Sequence, residues 1–236
     1  MSALLTAEKL EAFYGASQVL HGIDLEVKRG EQIALIGRNG MGKTTLLRSL
    51  MGLVADCRGK VTFADKDIAR AAPETIARAG VAFGPEGRGV FGSLSVVENL
   101  VMAARPAIDG RCTWTLDRIF ELFPRLHQRR TNGGHQLSGG EQQMLTIGRA
   151  LMTNPDLILI DEATEGLAPM VAQDIWRTLG VIRGEGVATI VVDKDFRSLS
   201  KIADRVVLLS KGTVVFEGAP ATLASQPQTL ERHLGV

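Results

Sequence analysis

An apolar run that feeds a glycine-spaced loop constrains this chain more than any other segment. Ile33-Ala34-Leu35-Ile36 runs into Gly37-Arg38-Asn39-Gly40-Met41-Gly42-Lys43-Thr44, the spacing G-x-x-x-x-G-K-[ST]. The apolar run reads as a buried strand, and residues 44–50 read as the helix leaving the loop. Strand, loop and helix together point to an α/β core with a mainly parallel sheet. The glycines let backbone N–H groups converge on phosphate oxygens, and the helix turns its positive end toward the anion. Gly37, Arg38, Asn39, Gly40, Met41, Gly42, Lys43 and Thr44, with Thr45 after them, are therefore candidate nucleotide-binding residues. Lys43 is expected to reach the terminal phosphates of ATP and Thr44 to ligate Mg²⁺. A glycine-rich turn before an ordinary helix is the bland alternative.

Further apolar runs extend the pattern. Leu157-Ile158-Leu159-Ile160 reads as a second buried strand and ends in Asp161-Glu162. In open α/β sheets ligands bind at such strand ends, so Asp161 is a candidate to orient Mg²⁺ and Glu162 to polarise an attacking water. Ala188-Thr189-Ile190-Val191-Val192 reads as a third strand, preceded by a helix over 173–182. Segments 4–13, 19–27, 206–209 and 213–216 read as antiparallel strands, the last two joined at Lys211-Gly212. Between residues 95 and 152 no strand is expected; 96–104, 116–123 and 140–152 read as helices. A final amphipathic segment spans 223–234. The expected organisation is one domain over 1–236, with a core of 1–86 and 153–236 and a helical subdomain over 87–152.

Composition narrows the function. Of 236 residues 45% are apolar and 22% charged, and the net charge is +1, so no strong field draws the chain onto nucleic acid or an anionic membrane. Cys57 and Cys112 show neither metal-ligand spacing nor a disulfide framework, which suits a reducing cytosol. No signal peptide is expected at the start, and no stretch approaches the roughly 20 apolar residues needed to span a bilayer. The histidines, His21, His127, His135 and His233, are scattered without ligand spacing and suit structural or surface roles.

Between the glycine loop and Asp161-Glu162 lies Leu137-Ser138-Gly139-Gly140-Glu141-Gln142-Gln143. On its own terms this is a capping box opening a helix, with Ser138 as N-cap and Glu141 three residues on. The three segments in this order resemble the ATP-binding-cassette family, whose ATPase subunits power transport across membranes. The resemblance implies a phosphate-loop ATPase core with an antiparallel β subdomain, and a helical insert carrying the signature motif at Ser138, Gly139 and Gly140. Those three residues would meet ATP held by a second, identical or homologous cassette, so that two chains close head to tail around two nucleotides. It further implies Tyr14 as the platform stacking on adenine, although a half-buried edge tyrosine is the simpler reading. Transmembrane permease subunits would supply the path, and a solute-binding protein would act indirectly. The chain would then sit peripherally on the cytoplasmic face of the cell membrane. Gly87 to Leu94, with Phe91, would lie where the permease docks, unless Phe91 is buried in the insert.

Two positions depart from the common pattern of the family. Its metal-binding glutamine aligns with Glu86 in Gly84-Pro85-Glu86-Gly87-Arg88, which keeps an oxygen ligand and adds a charge. That segment, Gly166-Leu167-Ala168-Pro169 and His233-Leu234-Gly235-Val236 resemble the F-type ATPase subunits of branched-chain amino acid importers. Where most relatives have a histidine that touches the γ-phosphate, this chain has Lys194. Lys194 can meet the phosphate as a point charge, or instead pair with a nearby carboxylate. Glu165 is open between a cross-dimer contact and a solvated turn. An importer ATPase is the leading expectation. A nucleotide-responsive, weakly hydrolytic half of a heterodimer comes second, and a soluble cassette acting on nucleic acid or ribosomes last.

Overall fold

The computed structural model describes residues 3–87 and 89–235; Arg88 and Val236, quoted above, lie outside them. In chain order the elements begin with β1 (Ala3–Tyr14), β2 (Ser17–Lys28), β3 (Gln32–Ile36), α1 (Lys43–Leu50), β4 (Asp56–Phe63), β5 (Lys66–Asp67), α2 (Pro73–Arg78) and β6 (Val81–Gly84). Helices follow: α3 (Val96–Val101), α4 (Leu116–Leu122), α5 (Pro124–Gln128) and α6 (Gly139–Leu151). The chain continues through β7 (Leu157–Ile160), α7 (Pro169–Gly184), β8 (Ala188–Val192), α8 (Phe196–Ile202), β9 (Arg205–Ser210), β10 (Thr213–Gly218), α9 (Pro220–Ala224) and α10 (Pro227–Leu234).

Two sheets form. One has the order β2-β1-β4-β5 and is antiparallel; the other has the order β10-β9-β3-β8-β7-β6 and is parallel except for the β9–β10 hairpin. The apolar runs are wholly buried because they have a core on each side. Ala34, Ile36, Ile158 and Ile160 face the helices of 96–182, whereas Ile33, Leu35, Leu157 and Leu159 face the antiparallel sheet and α1. Alternation along a strand thus feeds two cores at once, which is why no polar residue interrupts Leu157–Ile160. Each such isoleucine or leucine contributes about 1.5–3 kcal/mol by leaving water.

The structure refines several expectations. Segment 206–209 does pair antiparallel with 213–216 through Lys211-Gly212, both at positive φ, but it also runs parallel beside β3. The strands β4 and β6 have no clear signal in sequence: β4 is polar along an edge, and β6 is only four residues long. The segment expected over 223–234 is two helices, broken at Gln226, because the residue before Pro227 avoids the helical region. No helix among the described residues is long and apolar enough to cross a membrane.

Candidate active site

Because the strands are parallel, their C-terminal ends come together and each delivers a group to one edge. β3 leads to Gly37, β6 to Glu86, β7 to Asp161 and Glu162, and β8 to Asp193 and Lys194. A cavity of about 390 Å³ opens there, with Lys43, Thr44, Thr45, Glu86 and Glu162 in its wall and Val19 of β2 closing one side. A second cavity, of about 480 Å³, adjoins it at Thr44 and Glu86 and reaches Asp161.

The phosphate loop is held open by its backbone. Gly37 has φ 146°, and a Cβ there would stand 2.3 Å from the Leu209 carbonyl oxygen, so no larger residue can start the loop. The loop is also tied from outside: Gly212 N–H donates to the Met41 carbonyl at 3.1 Å, and His21 N–H donates to the Gly212 carbonyl at 2.9 Å. Lys43, only 8% exposed, folds back and donates to the carbonyls of Gly37 and Arg38 at 2.7 and 2.9 Å. Burial pulls its pKa below the usual lysine range, opposed by the charges of Asp161 and Glu162. Asn39, Gly40 and Gly42 share the larger wall with Lys43. Arg38 and Met41 offer backbone to the loop, while their side chains turn elsewhere. The Arg38 guanidinium lies against Gly235, and the Met41 sulfur accepts from Lys211 N–H at 3.2 Å.

Asp161 is 1% exposed, and neither carboxylate oxygen has a hydrogen-bond partner. Burial pushes its pKa up, offset in part by the neighbouring Thr44 hydroxyl. A buried carboxylate with nothing to satisfy it is costly unless a cation completes it. With Thr44 and Glu86 in the same wall, the oxygen donors are of the hard type that Mg²⁺ takes.

Glu162 has φ 54°, a left-handed conformation that a non-glycine residue adopts only under constraint. Its pKa is pushed up to about 7, first by a hydrogen bond with Glu165, then by burial and by the charges of Glu165, Glu86 and Asp161. Glu165 is pushed down by its bonds to Glu162 and Lys194, and Lys194 is raised by Glu165. Lys194 Nζ donates to Glu165 Oε1, so of the two sequence readings of Lys194 the chain by itself adopts the carboxylate pair. Glu165 itself lies exposed in a turn, as one of its two sequence readings has it, and within one chain it receives the Lys194 ammonium. Sequence reasoning offered a carboxylate partner for Lys194 without naming Glu165, because that choice follows from β7 and β8 being parallel neighbours with Ile160 beside Val191. Residues just past each strand then stand side by side.

The remaining candidates lie away from this edge. Ser138 caps α6 as expected: its N–H and hydroxyl both donate to Glu141 Oε2 at 2.8 Å, and its Oγ accepts from Glu141 N–H at 3.3 Å. Neither Ser138, Gly139 nor Gly140 lines the cavity around Lys43, so one chain does not bring the two glycine segments together. Tyr14 ends β1 at the hairpin tip and is 47% exposed, outside that wall although Val19 of the same hairpin is in it. Phe91 is exposed rather than buried in the insert, with the Arg149 guanidinium 4.6 Å from its ring centre.

Comparison with known proteins agrees with this geometry. The family model described as ABC transporter matches residues 20–165. The high-affinity branched-chain amino acid transport ATP-binding protein BraG of Pseudomonas aeruginosa is 39% identical over 98% of this chain and 100% of its own length. The lipopolysaccharide export system ATP-binding protein LptB of Escherichia coli K12 is 32% identical over 99% of this chain and 98% of its own. A nucleotide-free ATP-binding cassette from an ABC transporter superposes with a TM-score of 0.82 at 25% identity, covering 98% of each chain. By its match to the family model and its end-to-end relatives, the chain belongs to the ABC transporter family as an ATP-binding ATPase subunit.

Proposed function

We propose that this chain hydrolyses ATP to drive import of branched-chain or related amino acids through separate membrane-spanning subunits. It would bind those subunits peripherally, on the cytoplasmic face of the cell membrane. The observation that supports this reading is the end-to-end similarity to a branched-chain amino acid transport ATP-binding protein. Residues 1–86 and 153–236 act as the ATP-binding core, and 87–152 act as the arm that presents the signature and meets the permease near Phe91. A solute-binding protein serves the membrane subunits and not this chain.

The residues divide the work as follows. Loop amides of 37–42 and the Lys43 ammonium hold the phosphates, and Thr44 and Thr45 close the loop over them. Thr44, Glu86 and Asp161 hold Mg²⁺, which when bound offsets the negative charge of the β- and γ-phosphates. Glu162 orients the water and accepts its proton as the terminal phosphate departs in line. Tyr14 stacks on adenine. Ser138, Gly139 and Gly140 offer a hydroxyl and helix N-terminal amides to the γ-phosphate of a second chain, making ATP the adhesive between two cassettes.

The engagement of Lys194 by Glu165 favours one competing reading, a nucleotide-responsive half that turns over slowly beside a more active cassette. Steady-state phosphate release with Mg-ATP separates the two, run beside Glu162→Gln with the particle size followed. Turnover abolished by Glu162→Gln, with an ATP-locked dimer, supports a self-sufficient hydrolytic cassette. ATP binding without turnover or dimer supports the slow half. ATP-driven leucine uptake by vesicles carrying the chain with its permease subunits tests the solute, and uptake indifferent to leucine and its analogues removes the amino-acid assignment.

A further inference from the structure

Glu165 stands between two candidate reaction residues and has no part in the scheme above. Its carboxylate receives the Lys194 ammonium, and its pKa and that of Glu162 shift in opposite directions through their mutual influence. The loop that bears it is firmly docked on the end of β8. Ala163 N–H donates to the Val192 carbonyl at 3.1 Å, and both the N–H and hydroxyl of Thr164 donate to Asp193 Oδ2 at 2.7 Å. Asp193, 6% exposed, uses its other oxygen to accept Asp195 N–H at 2.9 Å. Loop and strand end are thereby one unit, so the backbones of Glu165 and Lys194 are fixed beside each other while their exposed side chains stay free to swing.

Lys194 also borders a cavity of about 270 Å³ together with Gly37, Arg38 and Asn39, so it stands beside the phosphate loop. The Lys194–Glu165 pair is about half exposed on both sides, and such pairs are worth little in water, roughly 0–1 kcal/mol. A terminal phosphate carrying about two negative charges is a stronger partner for an ammonium than one solvated carboxylate.

We propose that Glu165 is a positioning residue: it parks Lys194 beside the phosphate loop and releases it to the terminal phosphate when ATP enters. The inference rests on the ATPase reading and adds to it a contact within one chain that decides when Lys194 is available. Its influence on nucleotide binding runs through Lys194.

The test compares Mg²⁺-bound ADP with a non-hydrolysable ATP analogue by calorimetric titration, in wild type, Glu165→Gln, Lys194→Met and the double variant. Removing the Glu165 charge frees Lys194, so Glu165→Gln tightens the analogue about two- to fivefold and leaves ADP, which lacks the terminal phosphate, unchanged. In the Lys194→Met background the same substitution has no effect on either ligand. Glu165→Asp, which retains the charge, regains the wild-type ratio of analogue to ADP affinity. An analogue affinity that does not move, moves together with that of ADP, or still moves in Lys194→Met overturns the parking role. Wild-type protein that binds neither nucleotide removes the ATPase reading itself, an outcome distinct from all of these.

Discussion

A Cβ on Gly140 would stand 2.4 Å from Val171 Cγ1, so α6 and α7 touch where only a hydrogen atom fits. The signature glycine is therefore required by packing within one chain, independently of any phosphate. Gly140→Ala forces the valine or the helix to shift and destabilises the fold by about 1–3 kcal/mol in urea unfolding. Pairing it with Val171→Ala makes room for the new methyl and recovers part of that loss, which separates the packing role from the nucleotide role. A single variant as stable as wild type contradicts the contact.

The orphaned carboxylate of Asp161 gives a prediction about metal. Asp161→Asn removes a buried charge that the Thr44 hydroxyl and the cations of Lys43 and Arg48 offset only in part, so the nucleotide-free variant melts no lower than wild type. Mg-ATP raises the melting temperature of wild type by several degrees through linkage and raises that of the variant much less. Equal stabilisation of both by Mg-ATP, measured by thermal scanning, removes Asp161 from the metal site.

The pH response of Glu162 follows from its neighbours. A carboxyl raised to about 7 is mostly protonated at pH 6 and mostly ionised at pH 8 in the nucleotide-free chain. Only the ionised form can take a proton from water, so turnover limited by this group rises with pH across that window. The largest cause of the rise is the bond to Glu165, so Glu165→Gln moves the midpoint down toward the ordinary carboxylate range. Carboxyl infrared bands followed through a titration report the midpoint directly, and a value that ignores Glu165 contradicts the pairing.

A second orphaned cluster lies at the opposite end of the parallel sheet. Gln32 on β3 and Thr189 on β8 are register partners, both buried, and both side-chain atoms of Gln32 and the Thr189 hydroxyl lack hydrogen-bond partners. Thr189→Val keeps the shape and removes an unsatisfied hydroxyl. Its unfolding free energy is expected to equal or exceed that of wild type by about 1 kcal/mol, whereas a satisfied hydroxyl would lose a similar amount. Nucleotide binding, set at the other strand ends, stays unchanged.

Much of this molecule was legible one-dimensionally because its chemistry is local. The glycine loop, the buried runs 33–36 and 157–160 and the capping box at Ser138 each act within a few residues, so spacing alone carries their meaning. Composition excluded a membrane span for the same reason. Sequence could also propose Asp161 and Glu162, since a carboxylate at the end of a buried strand has one edge to face.

Strand order was not legible, and the finer site depends on it. β3, β8 and β7 are neighbours although they are far from consecutive in the chain, and only the adjacency of β7 and β8 sets Glu165 against Lys194. The short edge strand β6, which carries the chain toward Glu86, has too few residues for a periodic signal. Gly140 likewise shows its reason only when α7 is laid against it. Sequence determined which groups are present at the strand ends. Tertiary structure decided which of them meet, because contacts between parallel strands and between helices are fixed by long-range packing and not by the distance along the chain.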